Sequence, residues 1–199
     1  MYKRWVETYQ HNEYKEYKEN NKEFGKLPDC FLTGHVELGE RIVADKYTKN
    51  YCKNVLEFGG GSGAVSQIIQ RNLENPYNHV VIQPSEGGMF GGINALKKNK
   101  DSCNAKYTII DHILEEGEEN EILSKVSQPF DCIVADCEGC LNEEYDKNPK
   151  LFNNIKYIQV ERDDGNKYDT LFDKLNMKLL DGDGYGCNER CRTEVWQKL

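Results

Sequence analysis

The chain has 199 residues, 38% of them hydrophobic and 30% charged, with 26 Lys plus Arg against 34 Asp plus Glu and a formal net charge of -8. This length fits one domain with an adequate core, and a negative surface without a local basic patch repels nucleic-acid phosphates and anionic membranes. No apolar run approaches the ~20 residues that span a bilayer, and residues 1–21 lack the core of a signal peptide, so we expect a cytoplasmic protein with no nucleic-acid or membrane partner.

Residues 1–50 are predicted to form an N-terminal helical cover, and residues 51–199 the core of the same domain. Helical periodicity continues to about Lys49. This segment runs directly into the first strand, so His35 is a candidate catalytic base, because a histidine near neutral pKa can accept a hydroxyl proton. The alternative is that His35 caps or packs the following helix.

Eight cysteines are a high number for this length. Without a secretory signal we do not expect disulfides. Cys137-x-x-Cys140 and Cys187-x-x-x-Cys191 could together supply four thiolates to a zinc ion, provided that the two pairs meet in space.

A short apolar run, a glycine-rich turn and a helical pattern follow one another at residues 55–64, and the helix is expected from about Ser62 to Asn72. Glycines allow a tight turn and close approach of a ligand to main-chain N–H groups, and the positive end of the helix points to the same place. The spacing permits both a dinucleotide and a methyl-donor cofactor. The candidate binding residues are Glu57, Gly59, Gly61, Ser62 and Gly63.

Glu57 lies inside the apolar strand, two residues before the first glycine, where the cationic amino-acid end of a methyl donor needs an acidic anchor. At this point the sequence resembles the class I S-adenosylmethionine (SAM)-dependent methyltransferases. The resemblance implies an α/β fold, a Rossmann-like doubly wound seven-stranded mixed sheet with a C-terminal antiparallel hairpin, and SAM as cofactor.

Two further strands are predicted to end in polar residues at the cofactor edge. The strand from His79 ends at Gln83, where an acid normally holds the ribose hydroxyls, and the glutamine can accept and donate hydrogen bonds without carrying charge. The next strand, 107–110, places two residues near the expected adenine. The candidates at these ends are Gln83, Pro84, Ser85, Asp111 and His112.

A buried strand at 130–135 ends in Asp136-Cys137-Glu138-Gly139, which resembles the Asp-x-Glu-Gly signature of FkbM-type methyltransferases, many of which act on sugar hydroxyls. The resemblance covers roughly residues 53–162 and, loosely, the C-terminus. Because methyl transfer requires removal of the acceptor proton, Asp136 is the first catalytic candidate, with His35 and Glu138 after it. The compact chain is also similar to glycan methyltransferases of large DNA viruses of algae that act on surface rhamnose, which implies a sugar acceptor and the host cytoplasm. The alternative for Glu138 is a structural contact at the Gly139 turn.

Asp136 and Glu161 end strands that we expect to be neighbours, and Asp163 lies just beyond them. These oxygen ligands suit magnesium or manganese, which could bind two adjacent sugar hydroxyls and make one of them more acidic. The alternative is that Asp136 acts as a base alone and that residues 163–165 form a polar turn.

A helix at 168–175 and two strands at 177–180 and 193–198 complete the predicted chain. A closing hairpin argues against a dehydrogenase, as does the lack of room for a second domain. The sequence thus predicts a SAM-dependent O-methyltransferase that acts on a sugar or glycan hydroxyl. An NAD-type oxidoreductase and a non-catalytic SAM-binding subunit are the alternatives, and the oligomeric state stays open.

Overall fold

The computed structural model describes residues 16, 18–32, 38–84, 92–162, 168–185 and 192–199, and for residues 183–185 it describes the main chain. Seven strands form one sheet in the order β3-β2-β1-β4-β5-β7-β6. Their bounds are β1 Val55–Phe58, β2 His79–Ile82, β3 Thr108–Ile110, β4 Cys132–Ala135, β5 Tyr157–Arg162, β6 Met177–Tyr185 and β7 Arg192–Lys198.

The first five strands in the chain are parallel, and the last two form an antiparallel hairpin. β1 lies between β2 and β4, with Val55 opposite both His79 and Cys132. β7 runs antiparallel to β5, with Glu161 opposite Thr193, and β6 closes the edge. This is the predicted doubly wound mixed sheet with its C-terminal hairpin, and the prediction of the fold is confirmed.

Helices cover both faces of the sheet. Their bounds are α1 Leu38–Tyr51, α2 Ala64–Asn72, α3 Gly92–Ser102, α4 Glu119–Leu123, α5 Leu141–Lys147 and α6 Asp169–Lys174, with a 3-10 helix at Pro149–Phe152. In the part of the chain that the structure describes, no helix has the length and apolarity needed to cross a membrane.

Alternate residues of each strand pack into different hydrophobic cores. Leu56 and Phe58 belong to the large core that contains Phe130 and Phe152. Val55 instead packs with the buried residues of α2, including Ile68 and Ile69. This alternation follows from the two-residue period of a strand, and it decides which way the polar residues of β1 point.

The helix after the glycine turn starts at Ala64, two residues later than predicted. Gly63 is the residue before it and has φ 86, a left-handed conformation that an α-helix cannot include. Ser62 therefore belongs to the turn.

Three disulfides correct the expectation of reduced thiols: Cys30–Cys103, Cys52–Cys132 and Cys137–Cys140. The first two join segments that lie 73 and 80 residues apart in the chain. Cys52–Cys132 ties the end of α1 to the start of β4, so it fixes the N-terminal cover on the sheet.

Candidate functional site

The carboxyl ends of β1, β2 and β4 meet at one edge of the sheet. The Gly59 N–H donates to the Ile82 carbonyl, and the Asp136 N–H donates to the Phe58 carbonyl, both at 2.9 Å. These bonds continue the strand pairing past the last residue of each strand. The structure therefore places the glycine turn directly beside Asp136 and the end of β2.

The turn needs glycine at defined positions. Gly59, Gly61 and Gly63 have φ of 82, 50 and 86, values that other residues rarely adopt. A Cβ atom on Gly59 would lie 1.6 Å from the Asp136 carbonyl oxygen, and one on Gly63 would lie 2.9 Å from a methyl carbon of Leu96. The turn therefore depends on close backbone contact with β4.

The turn leads into the positive end of α2. The Gln67 N–H is the first to bond back along the chain, to the Gly63 carbonyl at 3.0 Å, so the N–H groups of residues 64–66 have no partner within the helix. Ser62 is buried, and its carbonyl accepts from Asn99 Nδ2 at 2.8 Å, which anchors the turn to α3. Oriented N–H groups at a helix start suit anionic or hydroxyl groups of a ligand.

Gln83 reaches back to this turn from the end of β2. Its Oε1 accepts from the Gly61 N–H at 2.6 Å, and its main-chain N–H donates to the Ile110 carbonyl at 2.9 Å. Pro84 follows it and is half-buried. Because an amide oxygen has two lone pairs, Gln83 can keep the Gly61 bond and still accept from a ribose hydroxyl.

Glu57 does not face this edge, which corrects the predicted anchor. The side chain is 2% exposed; Oε1 accepts from the Ser66 hydroxyl at 3.0 Å, and Oε2 lies 2.8 Å from His79 Nε2. The physical reason is strand alternation, since Glu57 shares the face of Val55 beneath α2. Its carboxylate stabilises the packing of β1, β2 and α2 and is closed off from a ligand.

The same buried cluster contains Tyr107. Gln67 Nε2 donates to its hydroxyl at 3.3 Å. Burial, with a smaller contribution from the charge of Glu57, raises the pKa of Tyr107 above its ordinary range. This tyrosine is therefore a neutral structural group, not a candidate base.

Asp111 and His112 follow β3 and are exposed. The ammonium of Lys97 lies 3.1 Å from Asp111, and this hydrogen bond lowers the pKa of the Asp111 carboxyl. His112 Nε2 lies 3.3 Å from Glu118. Both residues lie at the outer side of the cofactor edge, next to the end of β2, and their contact with adenine stays a prediction.

The segment after β4 forms a tight turn that carries Asp136 and Glu138. Glu138 is exposed with φ 53, and Gly139 has φ 100. The disulfide Cys137–Cys140 closes this turn, and its two cysteines pack against the large core. The zinc hypothesis is wrong for this pair, because a disulfide offers no thiolate to a metal.

Asp136 belongs to a group of three carboxylates. One oxygen each from Glu40, Asp136 and Glu161 lies within 4.8 Å of the other two. Glu40 comes from α1 and is not among the candidate residues named from the sequence. Asp136 is half-buried, whereas Glu40 and Glu161 are buried.

Five predicted site residues lie outside the described residues: His35, Ser85 and Asp163, and the candidate zinc ligands Cys187 and Cys191. Their roles stay predictions.

Comparison with known proteins agrees with this fold. No family model and no curated protein matches the sequence. Among solved structures, the O-methyltransferase of Bacillus cereus, in complex with SAH, is 16% identical with a TM-score of 0.55, covering 97% of this chain and 94% of its own.

Two further similar structures have names that refer to other methylated molecules, a tRNA and a ribosomal protein. A Streptococcus pneumoniae protein named for tRNA (m1A22) methylation, in complex with S-adenosyl-L-methionine, is 11% identical, covers 78% of this chain and 70% of its own, and has a TM-score of 0.55. The ribosomal protein L11 methylase of Lactobacillus delbrueckii is 14% identical with a TM-score of 0.55, covering 81% and 78%. At these identities the likeness shows the class I methyltransferase fold.

Proposed function

We propose that this chain is a SAM-dependent methyltransferase that acts on a hydroxyl group of a sugar or glycan. The observation that carries the proposal is the contact between the glycine turn and Asp136 at the carboxyl edge of the sheet, where a Cβ on Gly59 would lie 1.6 Å from the Asp136 carbonyl oxygen. Ligands of open α/β sheets bind at this edge.

The residues present fit SAM. The N–H groups at the start of α2 suit the carboxylate of its amino-acid part, and Gln83 suits the ribose hydroxyls. Asp111, which follows β3, is the candidate contact of the adenine ring. The carboxylates of Asp136, Glu40 and Glu161 give the neighbouring cleft a negative potential, which favours a cationic cofactor. When bound, SAM supplies a methyl group already activated by a sulfonium sulfur.

The protein then has to align the acceptor and remove a proton. Asp136 is half-buried at the edge, so its carboxylate can reach an acceptor hydroxyl and remain accessible to solvent. With SAM bound, the carboxylate of Asp136 would accept the hydroxyl proton while the acceptor oxygen formed the new O–C bond and the C–S bond broke with its electron pair left on sulfur. Alignment and general base catalysis are the two contributions required.

The choice of a hydroxyl acceptor rests on the carboxylates around Asp136 and on the FkbM resemblance of residues 136–139. The O-methyltransferase among the similar structures supports it. The FkbM subtype, a viral origin and a cytoplasmic location stay predictions from the sequence. The β6–β7 hairpin disfavours the NAD-type oxidoreductase, as argued from the sequence.

The proposal is tested by transfer of a 13C-methyl group from labelled SAM to a panel of glycosides, phenols and peptides. We expect a methyl ether on a glycoside, and Asp136→Asn should lower the rate by roughly 100- to 10,000-fold while SAM affinity stays within about threefold. Glu143→Gln, an exposed carboxylate of α5, is the matched control. Methylation of peptide nitrogen alone, or full activity of Asp136→Asn, contradicts the proposal.

A further inference from the structure

Buried polar side chains meet where α1 packs over the carboxyl ends of β4 and β5 and the start of β7, a region here called the polar cleft. Gln159 and Glu161 are two residues apart on β5 and therefore share one face. The Gln159 Nε2 donates to the Glu40 carbonyl at 3.2 Å, so α1 covers that face. Thr193 of β7 lies directly opposite Glu161, which places its hydroxyl on the same side of the sheet.

Three carboxylates converge in this cleft from three separate elements. Glu40 is 5% exposed and Glu161 is 7% exposed, and one oxygen of each lies within 4.8 Å of the other and of Asp136. Carboxylates this close repel each other, most strongly away from water. The three carboxylates are close because α1, β5 and the turn after β4 meet at this place in the fold.

Two further oxygens in the cleft point independently to a ligand. Gln159 Oε1 and Thr193 Oγ1 have no hydrogen-bond partner among the described residues, and their side chains are 5% and 1% exposed. Buried polar atoms are normally paired. Each of these residues adjoins a member of the carboxylate group, Glu40 for Gln159 and Glu161 for Thr193.

We propose that Glu40, Asp136 and Glu161 bind a divalent cation, magnesium or manganese. The donors are all hard oxygens, which these ions prefer. Two oxygens bound to one magnesium ion at about 2.1 Å lie about 3.0 Å apart when adjacent and about 4.2 Å apart when opposite, so small side-chain adjustments bring the three into one coordination shell. Gln159 Oε1 and Thr193 Oγ1, on side chains that adjoin the group, are the candidates for binding the ion or its water ligands.

This site differs from the one predicted from the sequence, because Glu40 of α1 is a ligand. The N-terminal cover therefore contributes to the chemistry of the edge.

The acceptor reaches the ion from the side on which Asp136 lies. Asp136 is the only half-buried member of the group, so the free coordination positions face the cleft beside it. The deeper inference, which rests on the proposed function, is that the acceptor presents two adjacent hydroxyls to the ion, as a vicinal diol of a sugar does. The ion lowers the pKa of the attacking hydroxyl, and its proton passes to the uncoordinated oxygen of Asp136.

The test is a manganese titration of the purified, chelator-treated protein, in which the EPR signal of free Mn2+ reports binding. The variants are Glu40→Gln and Glu161→Gln, with Glu144→Gln as matched control, since Glu144 is 5% exposed and belongs to α5. We expect one Mn2+ per wild-type chain, at least tenfold weaker binding in both cluster variants, and wild-type binding in the control.

Circular dichroism checks that each variant is folded. A variant that is not folded is replaced by Glu→Asp at the same position, which keeps the charge, shortens the reach and should also weaken binding. Wild-type protein that binds no Mn2+ below about 1 mM, or cluster variants that bind it as well as the wild type does, overturns the cation site.

SAM binding is measured in the same samples by calorimetry. Normal Mn2+ binding without SAM binding would contradict the proposed function and leave the cation site standing. Methyl transfer that needs no cation, together with the absence of Mn2+ binding, would contradict the cation site and leave the proposed function standing. Glycosides with one hydroxyl of the pair removed should bind more weakly only when Mn2+ is present, which tests the vicinal diol.

Discussion

Replacing Gly59 by alanine should damage both the fold and the site. The new Cβ would lie 1.6 Å from the Asp136 carbonyl oxygen, so that oxygen would have to move by at least about 1.4 Å to reach the 3.0 Å that real Cβ contacts respect. The atom it meets is the main-chain carbonyl oxygen of Asp136 itself, which cannot rotate away as a side chain would.

Gly117→Ala is a control that separates the two costs of this change. Gly117 has φ 86, close to the φ 82 of Gly59, but a Cβ there meets nothing within 4 Å. It should lose about 1–2 kcal/mol, the cost of placing an L-residue in the left-handed region. Gly59→Ala should lose this amount and about 1–3 kcal/mol more for overpacking.

The free energies of unfolding are measured by urea denaturation, and SAM affinity is measured by calorimetry on the folded variants. Displacement of the glycine turn, which would hold the cofactor, should lower SAM affinity at least tenfold in Gly59→Ala, whereas the affinity should be unchanged in Gly117→Ala. If Gly59→Ala is as stable as Gly117→Ala within about 0.5 kcal/mol and binds SAM like the wild type, the tight contact between the glycine turn and β4 does not exist.

Three further predictions concern neighbouring residues. Gln83→Glu should keep or strengthen SAM binding by up to roughly 1 kcal/mol, because a carboxylate accepts stronger hydrogen bonds from the Gly61 N–H and the ribose hydroxyls than an amide does. Calorimetry measures the affinity, and a tenfold loss would show that Gln83 faces a group other than ribose. Glu57→Gln should lower the free energy of unfolding by about 1–3 kcal/mol by weakening its bonds to Ser66 and His79, with SAM affinity within twofold; lost affinity at unchanged stability would restore the anchor role. The double change Cys52→Ala and Cys132→Ala should cost about 2–4 kcal/mol in urea denaturation, since the bridge closes a loop of about 80 residues; no loss would mean that these thiols are reduced in the native protein.

The sheet could be predicted because its strands are short apolar runs that end in a glycine or a polar residue. Residues 55–58, 79–82 and 132–135 are buried throughout, as parallel strands covered on both faces must be. The prediction erred where local geometry decides, since the start of α2 depends on the left-handed Gly63. Disulfides were not expected because residues 1–21 lack a secretory signal, and the pairing of Cys30 with Cys103 is visible only in the folded chain.

The site could be predicted in part. Glycines and polar strand ends fall at the carboxyl edge through topology alone, which brought Gln83 and Asp136 to one place. Glu57 was misassigned although the two-residue period of β1 already puts it on the face of Val55. Glu40 was missed because the rotation of α1 over the sheet depends on tertiary packing, and the sequence does not specify which acid of an acidic helix start faces inward.

Calorimetric titration of the purified protein with SAM tests the central claim most directly, since every role assigned to the edge of the sheet requires this cofactor. The account predicts one site per chain, competition by SAH, and loss of binding in Gly59→Ala with retention in Gly117→Ala. Absence of SAM binding to folded wild-type protein, or SAM binding that Gly59→Ala leaves intact, would contradict it.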